Sequence, residues 1–242
     1  QVKARLGRRP KWVQCPVSAV HHLPARPARG SASGLTNIVI LPDSQNGYRV
    51  DQLTREWKPL HDRKWWDLAV QVCQRERPDK VIALGDMLDL AELGKYATEG
   101  DLLNTTQTAL RELHWWLGQV RMECGEMTYI PGNHEARWKK ALLDSVRPIE
   151  SLRPVDDLSG HKLASIPRAL GLEGLGIQWE DPYPKGEVWI TDDVMVRHGK
   201  KVRPKSGGTV SALISEGDYS VIVGHIHRLE MCSRTIAQSR GR

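Results

Sequence analysis

The sequence predicts an α/β fold in which a parallel β-sheet packs against helices. The clearest sign is the run at 80–84, which has the length and the hydrophobicity of a strand covered on both faces. A shorter strand-like run at 36–41 precedes it, and a helical pattern at 62–77 lies between the two. A second helical pattern at 101–123 is followed by another strand-like run at 127–130. Strands joined through a helix in this way pair in parallel, with a right-handed crossover.

The first helix and the strand after it are bounded by clear local signals. Pro78 ends the helical pattern, and Gly85 ends the apolar run at a point where the backbone must turn. The residues of this helix that recur at helical spacing, and that we therefore expect in the core, are Trp65, Leu68, Ala69, Val72 and Cys73.

The later elements are read from the same periodicities. In the second helix the expected core residues are Leu102, Leu110, Leu113, Trp116, Leu117 and Val120. The remaining predicted elements are a basic helix at 136–145, a strand at 177–179, a hairpin of 187–190 and 194–198, a helix at 206–216 and a strand at 219–223.

The composition is that of an ordinary soluble globular protein. Hydrophobic residues make up 40% of the 242 residues and charged residues 26%. No apolar stretch approaches the roughly 20 residues of a membrane span, and no signal-peptide pattern opens the chain. The four cysteines are scattered, with no Cys-x-x-Cys spacing, which favours reduced thiols over a disulfide framework or a zinc knuckle. We therefore expect a cytoplasmic protein without a membrane partner.

The net charge of +6 is concentrated at the N-terminus. Seven basic residues and no acidic one precede Asp43, so that 28 basic residues (35 less seven) face 29 acidic ones in the rest of the chain. This segment is also rich in proline. We expect a poorly ordered arm over 1–35 followed by one domain over 36–242. A solvated tail is the favoured interpretation of the arm, and a non-specific nucleic-acid contact is the alternative.

Polar motifs follow five of the predicted strands. They are Asp43-x-Gln45, Gly85-Asp86-x-x-Asp89, Gly132-Asn133-His134-Glu135, His198-Gly199 and Gly224-His225-x-His227. Each motif alone is typical of a turn or a loop. In an extended Gly-His-x-His segment, however, alternate residues point the same way and present two imidazoles together. Ligands bind at the carboxyl ends of strands in open α/β sheets, so the five motifs predict one shared site.

The ligand types in these motifs are those of a metal centre. Carboxylate, amide and imidazole groups suit divalent manganese, iron, zinc or nickel better than thiolate-loving metals. Two such ions about 3.5–4 Å apart can clamp a phosphate for in-line attack. Ions this close need a shared anionic ligand, and Asp86 is the natural bridge.

Taken together over 37–227, the five motifs resemble those of the calcineurin-like metallophosphoesterases. The resemblance implies an αββα fold, a β-sandwich flanked by helices. It also implies an enzyme that hydrolyses phosphate esters by attack of a metal-bound hydroxide at a dinuclear centre, with phosphodiesters slightly favoured over monoesters. Two divalent ions are expected as cofactors, with manganese preferred and iron, zinc or nickel as alternatives.

The resemblance also implies roles for individual residues. The metal ligands it implies are Asp43 and His227 for the first ion, Asn133, His198 and His225 for the second, and Asp86 for both. His134 resembles the catalytic imidazole that contacts the phosphate and protonates the leaving oxygen. Asp89 resembles the acid that orients this histidine and raises its pKa. Glu135 is interpreted as a supporting residue.

The first motif departs from the family pattern. The family usually has Asp-x-His, and this chain has Gln45, whose neutral amide oxygen is a poorer ligand for late transition metals. A working site with a looser first metal is the favoured interpretation, and a degenerate site with one metal or none is the other. The Asp-x-Gln form also resembles bacteriophage-encoded members, which implies a location in the host cytoplasm.

Two alternative functions stay open on the sequence. A nuclease is supported by the basic arm, and a metal-poor interaction module with the same fold is supported by Gln45. The basic loop at 200–205 is interpreted either as solvated or as a contact for further phosphates of a substrate. The oligomeric state is not predicted.

Overall fold

A computed structural model of the chain describes residues 34–94, 99–155 and 160–235. Over these residues the fold is mixed α/β, with a parallel sheet and helices. The predicted N-terminal arm lies outside the described residues except for its last two positions. None of the described helices combines the length and the apolar character needed to cross a membrane. Cys73, Cys124 and Cys232 are free, while Cys15 lies outside the described residues.

The strands and helices follow one another in a mixed order along the chain. The strands are β1 Ile38–Leu41, β2 Tyr48–Val50, β3 Trp57–Pro59, β4 Lys80–Leu84, β5 Glu126–Ile130, β6 Gln178–Trp179, β7 Glu187–Thr191, β8 Val194–Arg197 and β9 Ser220–Val223. The helices are α1 Arg63–Glu76, α2 Thr106–Arg121, α3 Asn133–Ser145, α4 Arg147–Ser151, α5 Ile166–Ala169 and α6 Gly208–Leu213, with short 3₁₀ turns at Ala91–Leu93 and Gly100–Leu102.

The first sheet has four parallel strands in the order β1-β4-β5-β6. Its central strand β4 is buried on both faces, as its apolar run predicts. Val81 and Ala83 pack into a core shared with α1 and α2, whereas Ile82 and Leu84 pack on the opposite face. The predicted parallel pairing of the first two strands of this sheet is confirmed.

A second sheet covers the other face of β4. It has the order β7-β8-β9, with β7 and β8 forming the predicted antiparallel hairpin and β9 parallel to β8. Val188 and Val196 of this sheet share one buried cluster with Ile82, Leu84 and Ile130 of the first sheet. The two sheets therefore face each other across an apolar layer. A separate small hairpin, β2–β3, was not predicted.

Helix α1 buries a face that differs from the predicted one. Ala69 and Cys73 are buried as expected, but Leu68 and Val72 are 60% and 36% exposed, so their assignment to the core is wrong. Trp66 is fully buried instead, and its indole stacks on an indole of α2 with ring centres 5.8 Å apart. The helix is therefore rotated so that it buries this indole against α2 and leaves Leu68 and Val72 towards solvent.

Helix α2 begins later than predicted. Leu102 lies in a 3₁₀ turn and is half-buried, whereas the other predicted core residues of this helix are buried. The carboxylate of Glu92 accepts hydrogen bonds from the backbone N–H groups of Thr105 and Thr106, at 2.6 and 2.8 Å. This anion at the helix N-terminus satisfies unpaired donors and interacts favourably with the helix dipole, which fixes the start of the helix.

A buried polar cluster ties the β2–β3 hairpin region to α2. Glu112 is its centre and accepts hydrogen bonds from the hydroxyl of Tyr48 and, at 2.7 Å, from Nε of Arg63. Nε2 of His61 lies 3.2 Å from the same carboxylate. Although burial opposes ionisation, the bonds from His61, Tyr48 and Arg63 lower the pKa of Glu112 to about 2.

Candidate metal centre

The five strand-end motifs lie together in the structure. β1, β4 and β5 are parallel neighbours, so their carboxyl ends meet at one edge of the first sheet, and β8 and β9 end beside them. The potential ligand atoms form two groups, and within each group they all lie within 4.8 Å of one another. One group is Asp86, His198 and His225, and the other is Asp43, Asp86 and His227. Asp86 belongs to both groups.

Asp86 and His198 form the buried floor of the site. Nε2 of His198 lies 3.3 Å from Oδ2 of Asp86, and both side chains are 1% exposed. Nδ1 of His198 donates to the carbonyl oxygen of Leu84 at 2.7 Å, which leaves Nε2 as the nitrogen available to a metal. Burial opposes the ionisation of Asp86, but His198 holds the pKa of this carboxyl below its ordinary value. Asp86 is therefore ready to act as an anionic ligand.

Asn133 joins the group that contains His198. Its Oδ1 lies 3.3 Å from Nε2 of His198. Asn133 is the first residue of α3 rather than a loop residue, because the helix begins three positions before its predicted start at 136. The backbone N–H of His134, in the same turn, donates to Oδ1 of Asp86 at 2.8 Å. The N-terminus of α3 thus stabilises the Asp86 carboxylate through an N–H donor and the helix dipole.

Gly132 allows this close approach of α3 to β4. A Cβ atom at this position would lie 2.2 Å from Oδ1 of Asp86 and 2.5 Å from its backbone nitrogen. No side chain other than hydrogen fits between the two segments, so the glycine is required by contact rather than by its dihedral angles.

The second group is built around Asp43. Its carboxylate accepts the backbone N–H of His225, with the two oxygens 3.1 and 3.0 Å away, and Oδ1 lies 3.6 Å from Nε2 of His227. Burial raises the pKa of Asp43 and, with the charge of His198, lowers that of His225. The side chain of His227 is 48% exposed, so this group lies nearer the surface than the floor formed by Asp86.

Several residues of the site have left-handed backbone conformations. The φ angles are +53° at Asp43, +45° at Gln45, +49° at Asp86, +70° at His225 and +50° at His227. The expectation that the His-x-His segment is extended and presents its two imidazoles together is therefore wrong, and His225 and His227 enter different ligand groups. Non-glycine residues with positive φ are uncommon and cost of order 1–3 kcal/mol each. Their clustering here is typical of a functional site.

Gln45 lies at the edge of the second group. Its Nε2 is 3.4 Å from Nε2 of His227, and its backbone N–H donates to the carbonyl oxygen of Asp86 at 2.9 Å. A half-turn of the amide exchanges its nitrogen and oxygen, which brings an acceptor oxygen to the same place. The structure thus places Gln45 beside the predicted ligands of the first metal.

His134 and Asp89 are also in contact, as the resemblance implies. Nδ1 of His134 lies 2.6 Å from the main-chain oxygen of Asp89 and 3.4 Å from its carboxylate. The backbone carbonyl therefore makes the closer orienting contact. Nε2 of His134 lies 3.8 Å from Oδ2 of Asp86 and faces the two ligand groups. Burial opposes protonation of His134, but the hydrogen bond to Asp89 and the charge of Asp86 raise its pKa.

Arg137 is a site residue that sequence reasoning missed. Its guanidinium donates to the main-chain oxygen of Asp89 at 2.9 Å and lies 3.0 Å from Nε2 of His134. The available signal was its spacing, since residues three apart on a helix are neighbours and α3 already includes His134. Arg137 brings a fixed positive charge to the histidine predicted to be catalytic.

Glu135 is a buried residue that holds together the backbone segments around the site. Its two carboxylate oxygens accept the backbone N–H groups of Asp86 at 2.9 Å, Leu88 at 3.0 Å and Gly132 at 2.8 Å, and the hydroxyl of Tyr129 at 2.7 Å. Both carboxylate oxygens of this buried side chain are therefore occupied by hydrogen bonds from the protein. This supports its interpretation as a supporting residue that joins the ends of β4 and β5.

The donor set fits divalent cations. Carboxylate and imidazole groups, with an amide oxygen added from Asn133, converge from two sheets on a polar cluster whose central carboxylate has two oxygens to share. The hydrogen bonds from His198 to Leu84 and from Asp86 to Glu135 are the kinds of surrounding contact that orient metal ligands.

Comparison of the chain with models of known protein families and with curated proteins finds no match.

Proposed function

We propose that this protein is a metallophosphoesterase that hydrolyses phosphate esters at a dinuclear metal centre, with phosphodiesters slightly favoured over monoesters. The observation that carries the proposal is the membership of Asp86 in two adjacent ligand groups. One carboxylate shared between two sets of imidazole and carboxylate donors is the arrangement that two neighbouring cations need.

The residues that would hold the ions follow from the two groups. Asp43 and His227 would bind the first ion, with Gln45 beside them, and His198, His225 and Asn133 would bind the second. Asp86 would bind both. When bound, two divalent cations supply Lewis-acid stabilisation of the phosphate and a deprotonated water as nucleophile, and manganese is the metal we propose.

His134 is the proposed proton donor to the leaving oxygen. Its Nδ1 is occupied by the main-chain oxygen of Asp89, so Nε2 is the nitrogen that faces the ligand groups. Burial opposes protonation of His134, but the hydrogen bond to Asp89 and the charge of Asp86 raise its pKa, which favours the protonated form that a proton donor needs. Arg137 donates to the same main-chain oxygen and adds positive charge for a phosphate oxygen.

The proposed fold is the αββα sandwich of the metallophosphoesterases. Two facing sheets with a shared apolar cluster, and helices α1 and α2 on the outer face of the first sheet, support it. In such a fold the ends of both sheets contribute residues to the site. The contact between Asp86, after β4, and His198, after β8, is consistent with this arrangement.

The test is hydrolysis of nitrophenyl phosphate and bis(nitrophenyl) phosphate with added Mn²⁺ and with a chelator. We expect metal-dependent turnover that Asp86→Asn and His134→Ala each reduce by at least about 100-fold. Lys139→Ala, at an exposed position of α3, is the matched control and should keep wild-type turnover. Absence of metal-dependent turnover on both substrates would contradict the proposal, and absence of bound metal as well would favour the interaction module.

A further inference from the structure

A large cavity opens directly beside the proposed metal centre. Its volume is about 590 Å³, and its wall includes the metal-ligand candidate His225 and the neighbouring Gly199 and Gly224. The cavity extends from there between the 184–187 segment and the basic loop before α6. A ligand bound at the centre would therefore continue into this cavity, which we call the basic groove.

The basic groove has a strong excess of positive charge. The charged side chains in its wall are Lys185, Arg197, Lys200, Lys201 and Arg203 against Glu187 and Glu216. Arg197 is neutralised by an ion pair with Glu216. None of the other four cations forms an ion pair within the described part of the chain, and all four are exposed. Four cationic groups are thus free to meet an anion beside the centre.

The loop that carries three of these cations is held in place. The backbone N–H of Arg203 donates to Oγ1 of the buried Thr209 at 2.9 Å, and its carbonyl accepts from the guanidinium of Arg228 at 2.8 Å. Arg228 is itself held by Glu230, with Nε 2.7 Å from Oε1. The backbone of the loop is therefore fixed at Arg203, beside the wall of the groove.

We propose, building on the phosphoesterase centre, that the basic groove binds the phosphates next to the scissile one in a nucleic-acid strand. One phosphate does not need four cations, whereas a chain of phosphates running away from the centre presents one negative charge per nucleotide. No Trp or Tyr is among the described residues that line the groove, so there is no platform for stacking bases. Recognition is then of the backbone and is independent of base sequence.

The test measures binding in chelator, so that it does not depend on turnover. The anisotropy of a fluorescein-labelled 12-nucleotide single strand gives the dissociation constant of the full chain at several salt concentrations. The groove variant is Lys200→Ala/Arg203→Ala. The matched control is Lys64→Ala/Arg75→Ala, which removes the same two residue types from α1, a helix with no residue in the groove wall.

We expect the groove variant to bind about tenfold more weakly at 0.1 M salt, with a slope of log affinity against log salt shallower by about 1.4, or roughly 0.7 for each lost phosphate contact. The control should bind like the wild type. Lys200→Arg/Arg203→Lys, which keeps both charges, should also retain wild-type binding. Thermal denaturation confirms that all three variants are folded.

Equal binding by the groove variant and the control would overturn the inference, whether or not the protein hydrolyses nitrophenyl substrates. A selective loss in the groove variant without any turnover by the wild type would support the groove and count against the proposed reaction instead. A preference of more than about tenfold between homopolymers of different base would contradict recognition of the backbone alone.

Discussion

Nε2 of His198 lies 3.3 Å from Oδ2 of Asp86, and this contact joins the carboxyl end of β8 to that of β4 in the other sheet. The opposite nitrogen of His198 is bonded to the carbonyl oxygen of Leu84, the last residue of β4. One imidazole thus links the sheets twice, and the second link fixes the tautomer that the first requires. Two of the candidate metal ligands thus also connect the ends of the two sheets.

Gln45→His should tighten the binding of the first metal. Gln45 lies beside His227 in the Asp43 group, and an imidazole at this position replaces a neutral amide with a better ligand for transition metals. We expect the weaker of two Mn²⁺ dissociation constants, measured by isothermal titration calorimetry, to fall by about tenfold or more. Unchanged affinity and stoichiometry would show that residue 45 lies outside the ligand shell.

Arg137→Ala should lower kcat/KM for a nitrophenyl phosphate by roughly 10- to 100-fold, because His134 loses a partner that positions it. The charge of Arg137 opposes protonation of His134, so its removal should also shift the pH–rate profile to higher pH. Arg137→Lys should keep the position of the profile. A lower rate without any shift would mean that Arg137 does not act on His134.

Glu135→Ala should destabilise the protein by roughly 3–5 kcal/mol, since it leaves three backbone N–H groups and a tyrosine hydroxyl unsatisfied in the interior. Urea denaturation measures the change in the free energy of unfolding. Lys139→Ala, on the exposed side of the same helix, should change it by less than about 0.5 kcal/mol. A comparably small change for Glu135→Ala would refute its supporting role.

Glu112 should make the stability of the protein sensitive to acid. Its pKa in the folded state is lowered to about 2, so its contribution is fully present above its unfolded value of about 4.3 and is lost as the pH falls towards 2. Glu112→Gln should cost roughly 3 kcal/mol at pH 7. The difference in unfolding free energy between wild type and variant should shrink between pH 4.3 and 2, and a constant difference would contradict the role of ionised Glu112.

The pattern of the sequence predicts the parts of the fold that depend on strong periodicity. The run at 80–84 is buried on both faces as β4, and the polar residues after five strands do converge. The convergence of these polar residues could be predicted because parallel strands end at the same edge of a sheet, which does not depend on how the side chains pack. The predicted helices were also found, with boundaries that moved by several residues where Glu92 and Gly132 fix their starts.

The features that depend on tertiary contacts could not be predicted. The positive φ angles at Asp43 and His225 could not be predicted, because Asp and His adopt this conformation more often than most residues but still in only a small minority of cases. The rotation of α1 depends on the stacking of Trp66 on another helix. The contacts of Arg137 become visible only once α3 is known to begin at Asn133.

The most direct test of the shared role of Asp86 is the number of manganese ions bound per chain. The protein is loaded with Mn²⁺, freed of excess by gel filtration and measured by elemental analysis, beside Asp86→Asn and the control Lys139→Ala. We predict about two ions per chain for the wild type and the control, and fewer than one for Asp86→Asn, because both groups lose their common ligand. A wild-type chain that binds no metal, or an Asp86→Asn chain that still binds two ions, would contradict the account.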